Sequence, residues 1–196
     1  MIEQNETSNV KTAETPENCV ERVEVVSGLL LVIDQFMIGN PDFLRALPTD
    51  FEPDSDDFFE SLCEEVENYG GIVFQLSPGT YSVYRNTYKK TIVVFPEFDA
   101  DKVTEERVDE IIEGGEVLGA MTLDTRCIAI IDPALCYREH LIEQYRNLRK
   151  EEDDKGARDM IRENGASVRY GFSRKGEEIE GFYDENEDIL VLQAVE

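Results

Sequence analysis

The sequence predicts an α+β protein with mostly antiparallel sheets and packed helices. Three observations lead to this class. Short runs rich in β-branched and aromatic residues alternate with turn residues, as in "GIVFQLSPGTYSVY". Two other segments, "SDDFFESLCEEVENYGG" and "VTEERVDEIIEGG", carry apolar residues at the three- and four-residue spacing of an amphipathic helix. The order of strands and helices in the first half of the chain also recurs in the second half.

The charge of the chain indicates which partners it can have. Its 196 residues carry 19 basic and 44 acidic side chains, and the formal net charge is −25. A field of this sign repels nucleic acid and anionic membranes and attracts basic proteins. We therefore expect a basic protein partner, no direct contact with nucleic acid and no membrane. The alternative interpretation is a heavily solvated surface without a specific partner.

Cysteine and histidine usage predicts no cofactor. The four cysteines form no C-x-x-C pair, and the chain has a single histidine, so a structural zinc site is not expected. Cys63 and Cys127 lie in apolar patterns, which is typical of reduced core cysteines in a cytoplasmic protein. No apolar run approaches the roughly 18 residues that span a bilayer. The sequence leaves the oligomeric state open.

The first half of the chain is predicted to form one α+β repeat, at residues 20–100. Residues 1–19 are polar and aperiodic, and we expect a disordered leading segment there. "CVERVEVV" and "LLLVID" are predicted to be a strand pair with a turn or bulge at Ser27-Gly28, and the second strand ends at Asp34. The best helix of this half follows, with Ser55 as its N-cap and Gly70 at its end. Three strands complete the repeat.

A connecting helix is predicted at 101–114, with Thr104 as its N-cap, and a second α+β repeat at 115–196. In this repeat "EVLGAMTL" and "RCIAII" are predicted to be a strand pair around Asp124-Thr125, and the second strand leads to Asp132. Pro133 follows at a first helical position, and "ALCYREHLIEQYRNLRK" continues as a long helix. The polar segment "KEEDDKGARDMIREN" is interpreted as a helical or mobile extension, and three further strands end the chain.

Matched positions in the two halves indicate an ancient duplication. "LLVID" and "IAIID" end at Asp34 and Asp132, which are 98 residues apart. "IVVF" and "ILVL" start at Ile92 and Ile189, which are 97 residues apart. Similar order at a near-constant offset predicts two related modules. No flexible linker separates them, so we expect a shared core or a broad interface.

Four blocks resemble an uncharacterised bacterial family of unknown function. They are "SGLLLVID", "LSPGTYSV", "LDTRCIAIIDPAL" and "GFSRKGEEIEGFYDENEDILVL". The family's pattern has SG followed by a strand and DP, then PGxYxV, then VDxG before a second strand and aspartate. This chain departs from it, since Gln35 follows Asp34 and Arg126 replaces a glycine. The resemblance implies a shared β-rich fold and no activity.

Asp34 and Asp132 are the first candidates for a site. An aspartate at a strand end can bind a metal, act as an acid or base, or turn the chain. The proline after Asp132 is typical of an N-cap, which stabilises a helix by about 1 kcal/mol. Repeat symmetry gives Asp34 an equivalent structural role. The alternative is a ligand or metal site between the repeats, into which both carboxylates point, and it would make the chain an enzyme or small-ligand binder.

A cysteine–histidine site is the second candidate. His140 is the only histidine, and Cys136 lies four residues before it on the same predicted helix. This spacing places both on one helix face. Known Cys–His sites draw their residues from separate elements, so we predict a solvent-facing histidine and no catalytic residue.

An acidic stretch is the candidate that we prefer. Residues 49–69 carry acids and neither lysine nor arginine. The preferred hypothesis is a non-enzymatic binding protein of the inhibitor, immunity or anti-defence type, which uses this stretch against a basic partner. The alternative is a solvated helix face. The predicted partner-binding residues, which we call the acidic face, are Asp54, Asp56, Asp57, Glu60, Glu64 and Glu65.

Overall fold

A computed structural model describes most of the chain after the leading segment, and the predicted disorder at 1–19 lies outside the described residues. The described ranges are 21–86, 90–97, 103–115, 117–125, 127–169 and 178–195. Within them the chain forms ten strands in two antiparallel sheets, together with five α-helices. The predicted α+β class with mostly antiparallel sheets is confirmed.

The strands are β1 (Glu21–Val25), β2 (Leu29–Asp34), β3 (Ile72–Gln75), β4 (Gly79–Asn86), β5 (Thr91–Pro96), β6 (Val117–Thr122), β7 (Cys127–Ile131), β8 (Gly165–Arg169), β9 (Glu178–Asp184) and β10 (Ile189–Ala194). The helices are α1 (Pro41–Ala46), α2 (Asp56–Asn68), α3 (Glu105–Gly114), α4 (Glu139–Lys150) and α5 (Asp154–Glu163). Two 3-10 turns, Gln35–Gly39 and Pro133–Tyr137, follow β2 and β7. One sheet has six strands, in the order β1-β4-β5-β10-β9-β6, and the other has four, in the order β3-β2-β7-β8.

The two sheets pack face to face, and helices cover the far side of the four-stranded sheet. Leu30 and Val32 of β2 belong to the core between the sheets, whereas Leu31 and Ile33 pack under the helices. Successive residues of a strand point to opposite faces. Because both faces of β2 are covered, all six of its residues are buried. This explains why the strand reads as a continuous apolar run rather than as an alternating one.

Helix α2 forms as its sequence predicts. The Ser55 hydroxyl accepts a hydrogen bond from the Phe58 amide at 3.4 Å and caps the first turn. Phe58, Leu62 and Val66 recur every four residues and are buried against the four-stranded sheet. The chain leaves the helix through Gly70, whose φ of +70° is a conformation that glycine adopts without strain.

Helix α3 covers the outer side of the six-stranded sheet. Its Val108 and Ile111 pack there against apolar residues of β5, β9 and β10. The predicted cap is present, since Thr104 Oγ1 accepts from the Arg107 amide at 3.1 Å. The Arg107 guanidinium forms ion pairs with Asp184 and Glu187 and fastens the helix to the turn between β9 and β10.

The sequence predicts paired strands on either side of Ser27-Gly28 and of Asp124-Thr125, and this prediction is wrong. β1 and β6 lie in the six-stranded sheet, whereas β2 and β7 lie in the four-stranded sheet. The short segments between them are therefore crossovers from one sheet to the other. Local turn signals cannot distinguish a hairpin from such a crossover, because both need the same sharp bend.

The second half also differs from the prediction in its helices. The predicted long helix breaks at Arg138 into the 3-10 turn and α4. The polar segment that follows forms α5, in which Ala157, Met160 and Ile161 are buried under an otherwise charged helix. Three apolar residues at helical spacing are enough to hold such a helix, although the average composition of the segment is polar.

Strands of the first half pair with strands of the second half in both sheets. β2 pairs with β7 so that Val32 lies opposite Ile130, which is 98 residues later. β5 pairs with β10 so that Val93 lies opposite Val191, again 98 residues later. If each residue of a pair is replaced by the residue 98 positions away in the other half, the result is again a pair of the same two strands. The common origin of the halves stays a prediction.

The core between the sheets can be tested with Ile130→Ala. Ile130 is fully buried, and removal of its side-chain carbons leaves a cavity between two packed sheets. We expect a loss of about 2–5 kcal/mol in the free energy of unfolding, measured by urea denaturation. The control is Val26→Ala, because the Val26 side chain is 70% exposed and its loss changes stability by less than about 0.5 kcal/mol. If Ile130→Ala and Val26→Ala have equal urea midpoints, the packing of Ile130 between the two sheets is contradicted.

Candidate functional site

Asp132 holds the crossover between β1 and β2, which we call the Asp132 corner. One carboxylate oxygen accepts from the amides of Val26 and Ser27, both at 2.8 Å. The other accepts from the Ser27 hydroxyl at 2.9 Å and from the Ala134 amide at 2.9 Å. The predicted N-cap is therefore confirmed by the bond to Ala134. Asp132 also accepts hydrogen bonds from backbone amides about a hundred residues earlier, which its local sequence does not predict.

Asp34 holds the crossover between β6 and β7, the Asp34 corner, with the same set of donors. One oxygen accepts from the amides of Asp124 at 2.8 Å and Thr125 at 2.6 Å. The other accepts from the Thr125 hydroxyl at 2.8 Å and from the Phe36 amide at 2.9 Å. Every donor residue lies 98 positions from its counterpart at the Asp132 corner.

These contacts leave neither carboxylate free for a ligand. Asp34 is 2% exposed and Asp132 is 7% exposed. A carboxylate accepts about four hydrogen bonds, and each of the two already accepts four. In the antiparallel pair of β2 and β7, Asp34 lies opposite Ile128. Leu31 lies opposite Ile131, which directly precedes Asp132. The two corners are thus four steps apart along the ladder, or roughly 13 Å.

This geometry does not favour the alternative hypothesis of a carboxylate site at Asp34 and Asp132. It requires both side chains to point into one pocket, and the fold places them at opposite ends of a strand pair. The described part of the chain also contains no group of three or more histidine, cysteine, aspartate or glutamate side chains arranged to hold a metal ion. Both aspartates are structural residues that fix the crossovers.

Cys136 and His140 do not form a catalytic pair. Cys136 is buried in the helix layer, and His140 is exposed to solvent, as predicted. Burial is the main cause that raises the pKa of the Cys136 thiol to about 12, and the Asp132 carboxylate adds to the rise. The thiolate, which is the nucleophilic form, is therefore not populated near neutral pH.

The acidic face lies along the outer side of α2 and the loop before it. Five of its six residues are exposed, and Glu65 is half-buried. Among the described residues, none of the six takes part in an ion pair. The last turn of α2 contains Glu65 and Glu67 and no basic residue. Acids at that end oppose the helix dipole, at a cost of about 0.3–1 kcal/mol each.

A third feature escapes the sequence analysis. A cavity of about 430 Å³ opens beside the Asp34 corner, and we call it the arginine cavity. The sequence signal is a local enrichment in cations, since residues 138–169 contain eight of the chain's 19 lysines and arginines beside eight acids and are therefore neutral, unlike the chain as a whole. Charge counting over the whole chain hides this enrichment. The residues that line this cavity include Phe36, Thr125, Cys127, Arg149, Arg158 and Arg169.

Comparison with known proteins found no family model, no curated protein and no solved structure that matches this chain. Within the described ranges, every helix is too short or too polar to cross a bilayer. The resemblance to a bacterial family of unknown function stays a prediction. Evidence for a function therefore comes from the surfaces and cavities of the molecule itself.

Asp132→Asn tests the corner. An amide supplies only one acceptor oxygen, and its NH₂ group faces donors that the carboxylate satisfies now. We expect a loss of about 1–3 kcal/mol for each buried amide left unpaired, measured by urea denaturation. Asp124→Asn makes the same chemical change on an exposed side chain and is expected to shift stability by less than about 0.5 kcal/mol. If Asp132→Asn is as stable as the wild type, the proposed role of Asp132 in holding the β1–β2 crossover is contradicted.

Cys136 provides a test of burial through thiol reactivity. Because its pKa is raised to about 12, the thiol stays protonated at pH 8 in the folded chain. Unfolding returns the pKa to about 8.5 and restores the thiolate. We expect alkylation at pH 8 to label Cys136 only in urea, as measured by peptide mass spectrometry. Half-buried Cys63 is the internal control, and labelling of Cys136 at the same rate as Cys63 in the native chain contradicts the prediction.

Proposed function

We propose that this chain is a non-enzymatic binding protein whose acidic face engages a basic protein. The observation that carries the proposal is a row of exposed carboxylates on α2 that form no ion pair with any cation in the part of the chain that the structure describes. Proteins of the inhibitor, immunity or anti-defence type use such surfaces to block a partner that handles nucleic acid. A strongly acidic chain is suited to this role, because its field attracts basic proteins over long distances.

The arrangement of the carboxylates favours contact with an extended basic surface. Asp57, Glu60 and Glu64 recur at three- and four-residue spacing, so they project from one side of α2. Seven residues of helix separate the first from the last, a span of about 10 Å. Asp54 and Asp56 extend the row toward the start of the helix. The partner's cations would therefore meet several carboxylates at once.

The cost of the arrangement supports a functional interpretation. Like charges four residues apart, such as Glu60 and Glu64, destabilise a helix by about 0.2–0.5 kcal/mol. Acids in the last turn add to this cost. A basic partner removes the repulsion on binding, and complementary charge accelerates the encounter. An evenly solvated surface would not require this concentration of one sign on one helix.

The helix that carries the acidic face is held rigidly. Phe51 lies under the loop before α2, with its ring centroid 5.3 Å from Phe58 and 4.9 Å from Tyr137. The first contact is edge-to-face and the second is tilted, and such aromatic pairs contribute beyond their buried area. A rigid surface loses little conformational entropy on binding, which favours affinity.

We also infer that the scaffold arose by duplication. The inference is supported by the two corners, in which corresponding donors lie 98 residues apart, and by strand registers that map onto themselves at the same offset. Helices α2 and α5 add to it, since they begin at Asp56 and Asp154, which are also 98 residues apart. Copies released from identical constraints can diverge in surface charge while the core is retained.

Charge reversal tests the proposed function. In the variant Asp57→Lys, Glu60→Lys, Glu64→Lys, the middle of the acidic face repels cations. We expect wild-type chain immobilised on beads to retain a basic nucleic-acid-handling protein from extracts of its native host, at about 0.1 M salt. Retention should fall steeply as salt increases, because screening shortens the range of charge attraction. The reversed variant should retain that protein at least tenfold less, as quantified by mass spectrometry.

The matched control is Glu106→Lys, Glu113→Lys, Glu185→Lys. It makes the same change in net charge at exposed positions on α3 and the β9–β10 turn, on the other side of the two sheets. We expect the control to retain the partner nearly as well as the wild type. Equal retention by the face-reversed variant, or equal loss in both variants, contradicts a specific role for the acidic face and favours a merely solvated surface.

A further inference from the structure

The arginine cavity brings together three guanidinium groups that the sequence separates. Arg149 lies at the end of α4, Arg158 on α5 and Arg169 at the end of β8. They surround a cavity of about 430 Å³, which is within the size range of small-ligand sites. In a chain with a net charge of −25, three arginines around one cavity run against the general charge balance.

The guanidinium groups are only partly satisfied by the protein. Arg149 forms an ion pair with Asp154, which also lines the cavity. Among the residues that the structure describes, the buried Nε atoms of Arg149 and Arg158 have no hydrogen-bond partner. In the described part of the chain, no carboxylate forms an ion pair with Arg158 or Arg169. Within the described residues, the positive charge that Arg158 and Arg169 bring to the cavity is therefore not offset by an ion pair, and an anionic ligand would gain from it.

Charge and burial around Cys127 agree with this geometry. Burial is the main cause that raises the pKa of the Cys127 thiol, and the guanidinium groups of Arg158 and Arg169 oppose the rise. Their positive charge therefore acts at the wall where Cys127 lies. Asp34 and Asp154 act in the opposite direction on the same thiol. Asp34 is nevertheless occupied by its four donors and does not form an ion pair with the arginines.

The opposite rim of the cavity is aromatic. Phe36 follows the Asp34 corner and is 47% exposed, although large apolar side chains are mostly buried in this fold. Its ring lies at the edge of the arginine cavity and of a neighbouring groove. An exposed aromatic ring beside cationic groups is suited to stack on a flat organic ring of a ligand. Thr125 also lines the cavity, and its hydroxyl donates to the Asp34 carboxylate.

The other half of the molecule shows that the scaffold does not require these arginines. The corresponding cavity, beside the Asp132 corner, has a volume of about 310 Å³. It is lined by Glu24 and by one arginine, Arg138. The positions 98 residues before Arg149 and Arg158 are occupied by Phe51 and Glu60. A corner of the same construction is thus held without a cluster of guanidinium groups.

We propose that the arginine cavity binds a small phosphate-bearing ligand, with the phosphate between Arg149, Arg158 and Arg169 and an aromatic group against Phe36. Three guanidinium groups and the Asp154 carboxylate leave a formal charge of +2, which matches the charge of about −1.5 to −2 on a phosphomonoester at pH 7. A planar carboxylate is satisfied by one guanidinium fork, whereas a tetrahedral phosphate offers three terminal oxygens to three arginines. This site is separate from the acidic face, and either can fail without the other.

The test is isothermal titration calorimetry of the full chain at pH 7.5 and about 0.15 M salt, where screening limits repulsion by the net charge. The probes are inorganic phosphate, adenosine 5′-monophosphate, adenosine and succinate. We expect both phosphate probes to bind, with the nucleotide tighter, and adenosine and succinate to bind at least tenfold more weakly than the nucleotide. Arg158→Gln should weaken nucleotide binding tenfold or more, since each charge-assisted bond contributes that much.

Two further variants separate the parts of the site. Phe36→Ala should weaken the nucleotide severalfold and leave inorganic phosphate unchanged. Arg22→Gln removes an exposed arginine of β1 that is paired with Glu97, and it is the matched control that should bind like the wild type. If Arg158→Gln lowers the melting temperature enough to impair folding, Arg169→Gln replaces it, because Arg169 is exposed.

Several outcomes overturn the proposal. Absence of heat from both phosphate probes at millimolar concentration means that the cavity is not a phosphate site. Equal binding by wild type, Arg158→Gln and Arg169→Gln places the phosphate elsewhere. Succinate that binds as tightly as phosphate assigns the cavity to carboxylates instead. None of these results alters retention of a basic protein by the acidic face, so the two proposals are tested independently.

Discussion

Two buried carboxylates fix the crossovers on which the rest of this structure depends. Asp34 in the first half grips backbone at Asp124 and Thr125, and Asp132 in the second half grips Val26 and Ser27. A buried charge is tolerated only when its hydrogen-bonding capacity is filled, so each aspartate requires the other half in place. At the crossovers the chain passes from β1 and β6, which lie in the six-stranded sheet, to β2 and β7, which lie in the four-stranded sheet. Each corner thereby joins the two halves of the chain at the point where a strand passes from one sheet to the other.

The same framework carries two surfaces of opposite charge. Helices α2 and α5 begin at equivalent positions and both lie on the four-stranded sheet, yet the first presents carboxylates and the second contributes Arg158 to a cavity. Core residues are constrained on both sides by packing, whereas outward positions are not. A protein recruited through its acidic face and a phosphate-bearing ligand in the arginine cavity would therefore meet different parts of one rigid scaffold.

Features that depend on neighbouring residues were predictable. The cap at Ser55, the apolar stripe of α2, the cap at Thr104 and the Asp-Pro turn at Asp132 all follow from interactions within a few residues. The sequence wrongly predicts strand pairs around Ser27 and Asp124, because a bend in the chain does not reveal which sheet the strand on either side of it will join. Helix α5 was hard to recognise because its polar composition conceals a narrow buried stripe.

The sequence by itself determined the α+β class, most helices and their ends, the acidic face, and the matched positions of Asp34 and Asp132. Only the tertiary structure decided the other contacts of those aspartates, because three of the four donors to each carboxylate lie 90 or more residues away. It also decided that Arg149, Arg158 and Arg169 surround one cavity, although they belong to three different elements. Local hydrogen bonds and periodicity are encoded in short stretches, whereas contacts between distant stretches exist only once both sheets have formed.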